Sequence, residues 1–345
     1  MKILCAPTAE SASSVENVSA TVEAEYGDIC ISGEKYTLAH HGSRSHNPAP
    51  CNWEGIEPLE SDATILISHI DLDTIGGILA LMGEKPENPE FWKAAEFIDV
   101  NGVHHMHELS QDVQNELNAF YAWSMENGPR GRRIQEVTDV TDTIEEYKEA
   151  VHCLLGEHTP ERQTMIENGI AWEREQTQAV ENCLVQETPH VRLFETDSVF
   201  CNANYYSPKL QQICDATVAF NSTFKAVTVA FADGGKTESA REWVQSFWGP
   251  KAGGRDGIAG SPRGQEMTFN DAKKIASAIH DKLQMRTKEM PSKAVGILKD
   301  DSKSSKQKDA SAVGREAVSD NKIDISKKTP DSHSSKKTPT DDMVK

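Results

Sequence analysis

The chain has 345 residues and a net charge of −18, from 36 basic and 54 acidic side chains. Binding along a phosphate backbone needs clustered Lys and Arg, so this charge argues against a long nucleic-acid partner. No apolar run approaches the roughly 18–20 residues that span a bilayer, which argues against a membrane partner. The length allows two domains, each with its own core.

The seven cysteines form no Cys-x-x-Cys pair and do not follow the spacing of a small disulfide-rich domain. The N-terminal residues become polar too quickly for a signal peptide. We therefore expect a cytoplasmic protein with reduced thiols.

The first informative segment is a β-like stretch, residues 35–39, that runs into a cluster of histidines: His40, His41 and His46. Seven of the twelve histidines lie between positions 40 and 107, which favours a metal site in this part of the chain. Two interpretations stay open. The cluster contributes ligands or a general acid to such a site, or it is a polar loop before the proline-rich residues 48–58.

An apolar run over residues 63–67 has the length and β-branched content of a buried strand. It ends on His69, Asp71 and Asp73, and after two glycines a helix is predicted to begin at Ile78. In α/β folds, ligands collect beyond the carboxyl ends of such strands. Alternate residues of an extended segment point the same way, so these three side chains can face one point.

One imidazole and two carboxylates suit a divalent cation such as Mn²⁺ or Mg²⁺, so this segment predicts a metal site. The alternative is a helix N-terminus at which Asp73 caps backbone N–H groups. That interpretation leaves His69 and Asp71 without a role.

A second predicted strand, residues 97–100, carries Asp99 and leads to the pair His104-His105. Beyond it, residues 110–126 and 138–184 have helical periodicity. In the later segment one apolar face consists of Ile144, Tyr147, Val151 and Leu154.

In the C-terminal part, strands are predicted over residues 218–220 and 226–231 and an amphipathic helix over residues 271–283. Between them lies a glycine-rich run with these residues: Gly253, Gly254, Arg255, Gly257 and Gly260. Glycines let a backbone approach a phosphate closely and aim N–H groups at it. In that interpretation Arg255 would add a bidentate contact to the phosphate oxygens. The alternative is a flexible surface turn.

The segment around Asp71-Leu72-Asp73 resembles the first motif of the DHH phosphoesterase superfamily, in which a strand ends in a His and an Asp-x-Asp pair before a helix. Asp99 and the pair His104-His105 resemble the second and third motifs. Val103 stands where the family's Asp-His-His triplet has its Asp. The glycine run resembles the substrate loop of the DHH-associated C-terminal domain and follows in the family's order.

The resemblance implies two Mn²⁺ or Mg²⁺ ions held by these ligands: His69, Asp71, Asp73 and Asp99. It also implies that His104 or His105 stabilises the phosphoryl charge or protonates the leaving group. The glycine run and Arg255 would then hold the phosphate of the substrate.

The histidine cluster carries two further resemblances. The sequence His-His-Gly-Ser at 40–43 also occurs in metallo-β-lactamase-fold hydrolases, but Asp71 and Thr74 stand where their dinuclear zinc site needs imidazoles. His40, Gly42 and His46 resemble the metal-binding opening of some eukaryotic exonuclease relatives of the DHH proteins. The second resemblance implies that this cluster contributes ligands or a general acid near the same site, and the polar-loop interpretation stays open beside it.

The expected fold class is α/β, with the two-domain architecture of the DHH proteins. A mostly parallel sheet and the metals are expected in residues 1–140, a helical linker in 141–190, and a smaller α/β domain with the glycine loop in 191–290. Residues 291–345 contain no aromatic residue and carry 12 basic and 9 acidic side chains, which leaves −21 on the first 290 residues. This composition buries too little apolar surface to offset the entropy of ordering, so we expect a disordered tail.

The expected function is metal-dependent hydrolysis of a phosphoester or phosphoanhydride bond in a nucleotide, cyclic dinucleotide or short oligonucleotide. The expected partner is a small phosphorylated substrate, and a homodimer stays open. Two alternatives remain. One is a non-catalytic relative that binds nucleotide, for which Val103 is the main support, and the other is a metallo-β-lactamase-like hydrolase.

Overall fold

The computed structural model describes residues 1–128 and 134–289, so the tail expected at 291–345 lies outside the described residues. The strands are β1 (Lys2–Cys5), β2 (Ala20–Val22), β3 (Glu25–Tyr26), β4 (Ile29–Cys30), β5 (Tyr36–Leu38), β6 (Thr64–Ile67), β7 (Thr138–Asp139), β8 (Leu184–Glu187), β9 (Val191–Thr196), β10 (Tyr206–Ser207), β11 (Gln212–Ile213), β12 (Ala216–Asn221), β13 (Ala226–Phe231), β14 (Gly253–Gly254) and β15 (Ile258–Gly260).

The α-helices are α1 (Ala9–Ser13), α2 (Leu72–Met82), α3 (Pro89–Asn101), α4 (Gln111–Asn127), α5 (Thr141–Leu155), α6 (Pro160–Asn182), α7 (Ala240–Trp248) and α8 (Phe269–Glu289). Short 3-10 helices cover Gly42–Arg44, Pro50–Asn52 and Val103–Glu108.

The first sheet has the strand order β5-β2-β6-β1-β7. Neighbouring strands are parallel except β7, which pairs antiparallel with β1. In β6, Ile65 and Ile67 belong to the main core on one face, whereas Leu66 belongs to a smaller cluster on the other. Both faces are therefore covered, which explains why the sequence of β6 is continuously apolar rather than alternating.

The main core next to the first sheet is built by one face of that sheet and by helices α2 to α5. The apolar face predicted for α5 is confirmed, because its side chains are buried in this core: Ile144, Tyr147, Val151 and Leu154. Helix α5 therefore packs with the first sheet, although it begins the segment expected to act as a linker. The domain boundaries at residues 140 and 190 stay a prediction.

The second sheet has the order β14-β15-β13-β12-β9-β8, and only the β9–β12 pair is parallel. Its core is separate from the first and joins the sheet to helices α7 and α8. Helix α6 packs along α4 and leads directly into β8. It therefore connects the part of the chain that carries the first sheet (the first part) with the part that carries the second sheet (the second part).

Two local predictions were wrong. Residues 97–100 are not a strand but belong to α3, which begins with the Asn88 side chain accepting from the Phe91 amide and Pro89 in the first turn. The helix expected from Ile78 begins at Leu72 instead, and its two glycines lie inside it. Asp71, not Asp73, is the N-cap.

The chain is thus a mixed α/β protein with one largely parallel sheet. Across the described ranges, no helix combines the length and the apolar character needed to cross a membrane.

The contact between α4 and α6 depends on Gly169. A Cβ atom at this position would lie 2.4 Å from the backbone nitrogen of Ala119 and 2.5 Å from its Cα. Backbone atoms cannot move away from the added Cβ as the end of a flexible side chain can. Gly169→Ala should therefore destabilise the protein by about 1–3 kcal/mol, as overpacking typically does. Chemical denaturation measures the loss.

Glu175→Ala, an exposed position on the same helix, is the matched control and should be nearly neutral. If Gly169→Ala is as stable as the wild type, the two helices do not approach as closely as described.

Candidate metal centre

The site begins where three neighbouring parallel strands end side by side. Strand β2 lies between β5 and β6, with Val22 opposite both Leu38 and Ile67. The residues just past these ends are Glu23 after β2, His40 and His41 after β5, and His69 after β6. The register therefore places a carboxylate between two groups of imidazoles.

Glu23 is the centre of this arrangement and was missed in the sequence. Its side chain is only 1% exposed, and its backbone holds a left-handed φ of +51°, unusual for a residue other than glycine. Carboxylate oxygen Oε1 lies 2.8 Å from His40 Nε2 and 3.2 Å from His41 Nε2, and Oε2 lies 3.1 Å from His69 Nε2. These approaches lack hydrogen-bond geometry, so neither oxygen has a hydrogen-bond partner among the described residues.

Asp71 uses its two oxygens differently. Oδ1 accepts the N–H of Thr74 at 2.9 Å and so caps α2. Oδ2 lies 2.7 Å from His69 Nε2. The cap interaction that we considered as an alternative to a metal role is therefore present at Asp71, and it leaves the second oxygen directed at the imidazole.

The two carboxylate oxygens of Asp73 also have different partners, and this side chain is more deeply buried, with 3% exposure. Oδ1 accepts the N–H of Cys51 at 2.8 Å, whereas Oδ2 lies 3.1 Å from His40 Nε2 and has no hydrogen-bond partner in the described part of the chain. An unsatisfied buried carboxylate oxygen is costly, which favours a cation as its natural partner.

The two glycines of α2 explain how Cys51 reaches Asp73. A Cβ at Gly76 would lie 2.5 Å from the Cβ of Cys51, and one at Gly77 would lie 2.7 Å from the Cβ of Pro50. The glycines therefore let the 3-10 helix at Pro50–Asn52 lie directly on α2. They lie inside α2 rather than before it, and their role is close packing.

Asp99 reaches the site from the last turn of α3. Its Oδ2 lies 3.4 Å from His40 Nε2, and the side chain is 21% exposed. The predicted proximity of Asp99 to the Asp-x-Asp segment is thus present, although a helix and not a strand provides it.

Hydrogen bonds fix the orientation of the imidazoles. The Ser68 hydroxyl donates to the backbone oxygen of Glu23 and lies 2.8 Å from His69 Nδ1. Because that hydroxyl has only one proton, it must accept from Nδ1–H, which directs Nε2 into the cluster. Similarly, Glu25 Oε2 accepts the backbone N–H groups of His40 and His41 and holds the loop that carries them.

Packing four carboxylates against three imidazoles perturbs their proton affinities. Burial would lower the pKa of His40, but the carboxylates of Asp73 and Glu23 outweigh burial and raise it to about 11. Burial raises the pKa of Asp73 to about 6, and burial together with nearby carboxylates raises the pKa of Asp99 to about 7. Burial would also raise the pKa of Glu23, yet the surrounding imidazoles hold it well below its usual range.

The residues fit divalent cations. In three groups the ligand atoms all lie within 4.8 Å of one another: Glu23, His40 and His41; Glu23, His69 and Asp71; and His40, Asp73 and Asp99. Ligand atoms about 2.0–2.1 Å from one octahedral ion lie about 3.0 Å from each other. The N···O distances in the cluster run from 2.7 to 3.4 Å, so the side chains already have the spacing of neighbouring ligands.

Three of the predicted histidines lie outside these groups. His46 is exposed in the loop after β5. His105 hydrogen-bonds Glu108, and the ring of His104 packs 4.9 Å from that of Tyr205. Burial and the neighbouring histidines lower the pKa of His104 to about 4, so it is neutral near pH 7 and a poor proton donor. Its expected catalytic role stays a prediction.

The glycine run forms a hairpin at the edge of the second sheet. Strand β14 pairs with β15, and the Arg255 N–H donates to Ile258 O at 2.8 Å to close the turn. A Cβ at Gly257 would lie 2.9 Å from the backbone oxygen of Gly234, so this glycine is required by packing against the neighbouring turn. Arg255 is exposed. The hairpin is hydrogen-bonded, and a role in phosphate binding stays a prediction.

The sequence matches no protein-family model and no curated protein.

The hairpin offers a matched pair of variants. At Gly254 a Cβ would lie 2.5 Å from Ile258 O, whereas at Gly253 the nearest atom is 3.9 Å away. Gly254→Ala should lower the free energy of unfolding by about 1–3 kcal/mol, and Gly253→Ala should leave it nearly unchanged. Urea titration measures both, and equal effects would mean that the hairpin is not packed as described.

Proposed function

We propose that this protein is a metal-dependent hydrolase that cleaves a phosphoester or phosphoanhydride bond in a small phosphorylated substrate. One observation carries the proposal: seven potential ligands converge at the carboxyl ends of three parallel strands and at the adjoining ends of two helices. In α/β folds this edge is where ligands bind.

The donor set favours Mn²⁺ over Mg²⁺. Three imidazoles stand beside four carboxylates, and Mg²⁺ prefers oxygen ligands and retains its water molecules. Two bound cations would supply Lewis-acid activation of a phosphoryl group and of water. The protein provides the ligands, fixes their spacing through Ser68, Cys51 and Glu25, and buries the deeper side of the cluster.

The exposure of the cluster indicates the side on which a substrate binds. Glu23, His40 and Asp73 are 1–3% exposed, whereas His69 and Asp71 are 26% and 38% exposed. The phosphoryl group therefore approaches from the side of His69 and Asp71. The exposure of the Asp99 side chain, 21%, is intermediate between those of the two groups.

A two-domain, DHH-like architecture is part of the proposal. The Asp71-x-Asp73 motif supports it, and so does the contact between the first part and the beginning of β10. There the ring of His107 stacks on Tyr206 with centroids 4.1 Å apart, next to the His104–Tyr205 contact. The hairpin at Arg255 belongs to the second part and would bind the phosphate from that side.

A nucleotide, cyclic dinucleotide or short oligonucleotide is the proposed substrate class. A body with net charge −21 repels a long polyanion, and repulsion from a small one is offset locally by the cations. We also propose a cytoplasmic location, in keeping with cysteines that form no disulfide within the described ranges.

Of the two alternatives, the metallo-β-lactamase-like fold is disfavoured. That fold packs its two sheets against each other, whereas here no hydrophobic cluster of the described residues combines strands of both sheets. The non-catalytic nucleotide-binding relative differs from the proposal only in turnover, so kinetics decides between them.

Asp73→Asn should abolish hydrolysis and leave the fold intact. The amide oxygen can still accept the Cys51 N–H, while the oxygen that faces His40 is lost as a charged ligand. Burial raises the pKa of Asp73, so removing its charge should cost the cation-free protein little. We expect activity to fall by more than the roughly 10- to 100-fold that loss of a ligand's supporting partner causes.

The assay is turnover of nucleotides, cyclic dinucleotides and short oligonucleotides with excess Mn²⁺, together with thermal melting in EDTA. Asp62→Asn, in an exposed loop of the same part, is the control. Wild-type turnover by Asp73→Asn would remove Asp73 from the ligand set.

Arg255→Ala should reduce kcat/KM about 10- to 100-fold, because a guanidinium–phosphate contact is typically worth about 1.5–3 kcal/mol. Mn²⁺ affinity should not change. Arg263→Ala, which removes another exposed arginine of the same part, should have little effect. If the two variants behave alike in steady-state kinetics, the hairpin does not bind substrate phosphate.

A further inference from the structure

The two oxygens of Glu23 face different sets of ligands. Oε1 lies against His40 and His41, at 2.8 and 3.2 Å, and Oε2 lies against His69, at 3.1 Å. Both oxygens are buried and have no hydrogen-bond partner among the described residues. A carboxylate in this situation is directed at a ligand on each side.

The ligands around Oε1 form a single position. His40 Nε2 is the atom that approaches Glu23, Asp73 and Asp99, at 2.8, 3.1 and 3.4 Å. One imidazole nitrogen has one lone pair and binds one cation. The groups that share His40 therefore describe the same inner position, which His41 borders as well.

The ligands around Oε2 form a second position. His69 Nε2 lies 3.1 Å from Glu23 Oε2 and 2.7 Å from Asp71 Oδ2, and these three residues are one of the groups whose ligand atoms lie within 4.8 Å of each other. The position has few protein ligands and is bounded by half-exposed side chains. It therefore leaves coordination sites for substrate, as catalytic metal sites do.

We propose that the Glu23 carboxylate bridges two cation positions of unequal affinity. The inner position is formed by Oε1 with His40, Asp73 and Asp99, and the outer position by Oε2 with His69 and Asp71. The inner cation is held tightly, and the outer one exchanges with solvent and meets the substrate. This arrangement rests on the proposed function only for the role of the outer cation in substrate binding.

The backbone of Glu23 supports this assignment. A φ of +51° is strained for a residue other than glycine, and such strain persists where the surrounding structure holds the residue in that conformation. The Glu23 N–H donates to Leu38 O at 2.9 Å and its backbone oxygen accepts from Ser68, so both neighbouring strands hold the turn. The strained backbone conformation of Glu23 thereby places its carboxylate between the ends of β5 and β6.

The test is Mn²⁺ binding to the full chain, without substrate. Equilibrium titration counts the bound ions, and electron paramagnetic resonance reports magnetic coupling between two Mn²⁺ ions that share a carboxylate. We expect the wild type to bind two ions with different affinities and a coupled spectrum. Binding of one ion or none, or of two ions without coupling, overturns the proposal.

Three variants test the assignment of each position. Glu23→Gln keeps the size of the side chain and removes its charge, so we expect coupling to disappear and both affinities to fall at least about 10-fold. His69→Ala should remove only the weaker ion, and His40→Ala only the tighter one. Asp62→Asn is the control and should match the wild type.

Retention of two coupled ions by Glu23→Gln overturns the proposal. If Glu23→Gln does not fold, as judged by circular dichroism, His69→Ala and His40→Ala decide alone: loss of both ions or of neither in His69→Ala excludes two separate positions. Because no substrate is used, coupled binding without turnover would refute the proposed function and leave this arrangement standing.

Discussion

The buried carboxylate of Glu23 is the constraint on which the site depends. Three imidazole nitrogens surround it within 2.8–3.2 Å, and three further carboxylates approach two of the same nitrogens, at 2.7–3.4 Å. Without cations, so many acidic groups can share a low-dielectric space if the imidazoles stay protonated and some of the carboxyl groups take up protons as well. The raised pKa values of His40 and His69 agree with this state, and divalent cations would replace those protons.

The fold is arranged to keep this cluster in place. Strands β5, β2 and β6 end in register, which sets the lateral order of imidazole, carboxylate and imidazole. Glycines 76 and 77 let the 3-10 helix at Pro50–Asn52 lie on α2 and brace Asp73. The candidate ligands are thus positioned by groups that lie outside the cluster, as is general for metal sites.

The α/β class and strand β6 with the polar segment beyond it could be predicted from the sequence, because β6 is continuously apolar and Asp71 and Asp73 follow within six residues of its end. Glu23 could not, since β2 has only three residues and the glutamate follows in a left-handed conformation that no local pattern indicates. Asp99 was selected with the wrong secondary structure: the apolar residues 97–100 match a short strand locally, but the cap at Asn88 makes them the end of a helix. His104 and His105 were selected by motif; they lie outside the three ligand groups, and their catalytic role stays a prediction.

The central claim is that this cluster binds divalent cations in the folded protein, and chemical unfolding in EDTA and in Mn²⁺ tests it most directly. A cation that binds only the native state stabilises it by about 2.7 kcal/mol at 100 times its Kd. We predict a gain of this order or larger for the wild type, and a much smaller gain for Asp73→Asn. An unchanged free energy of unfolding at saturating Mn²⁺ would contradict the account.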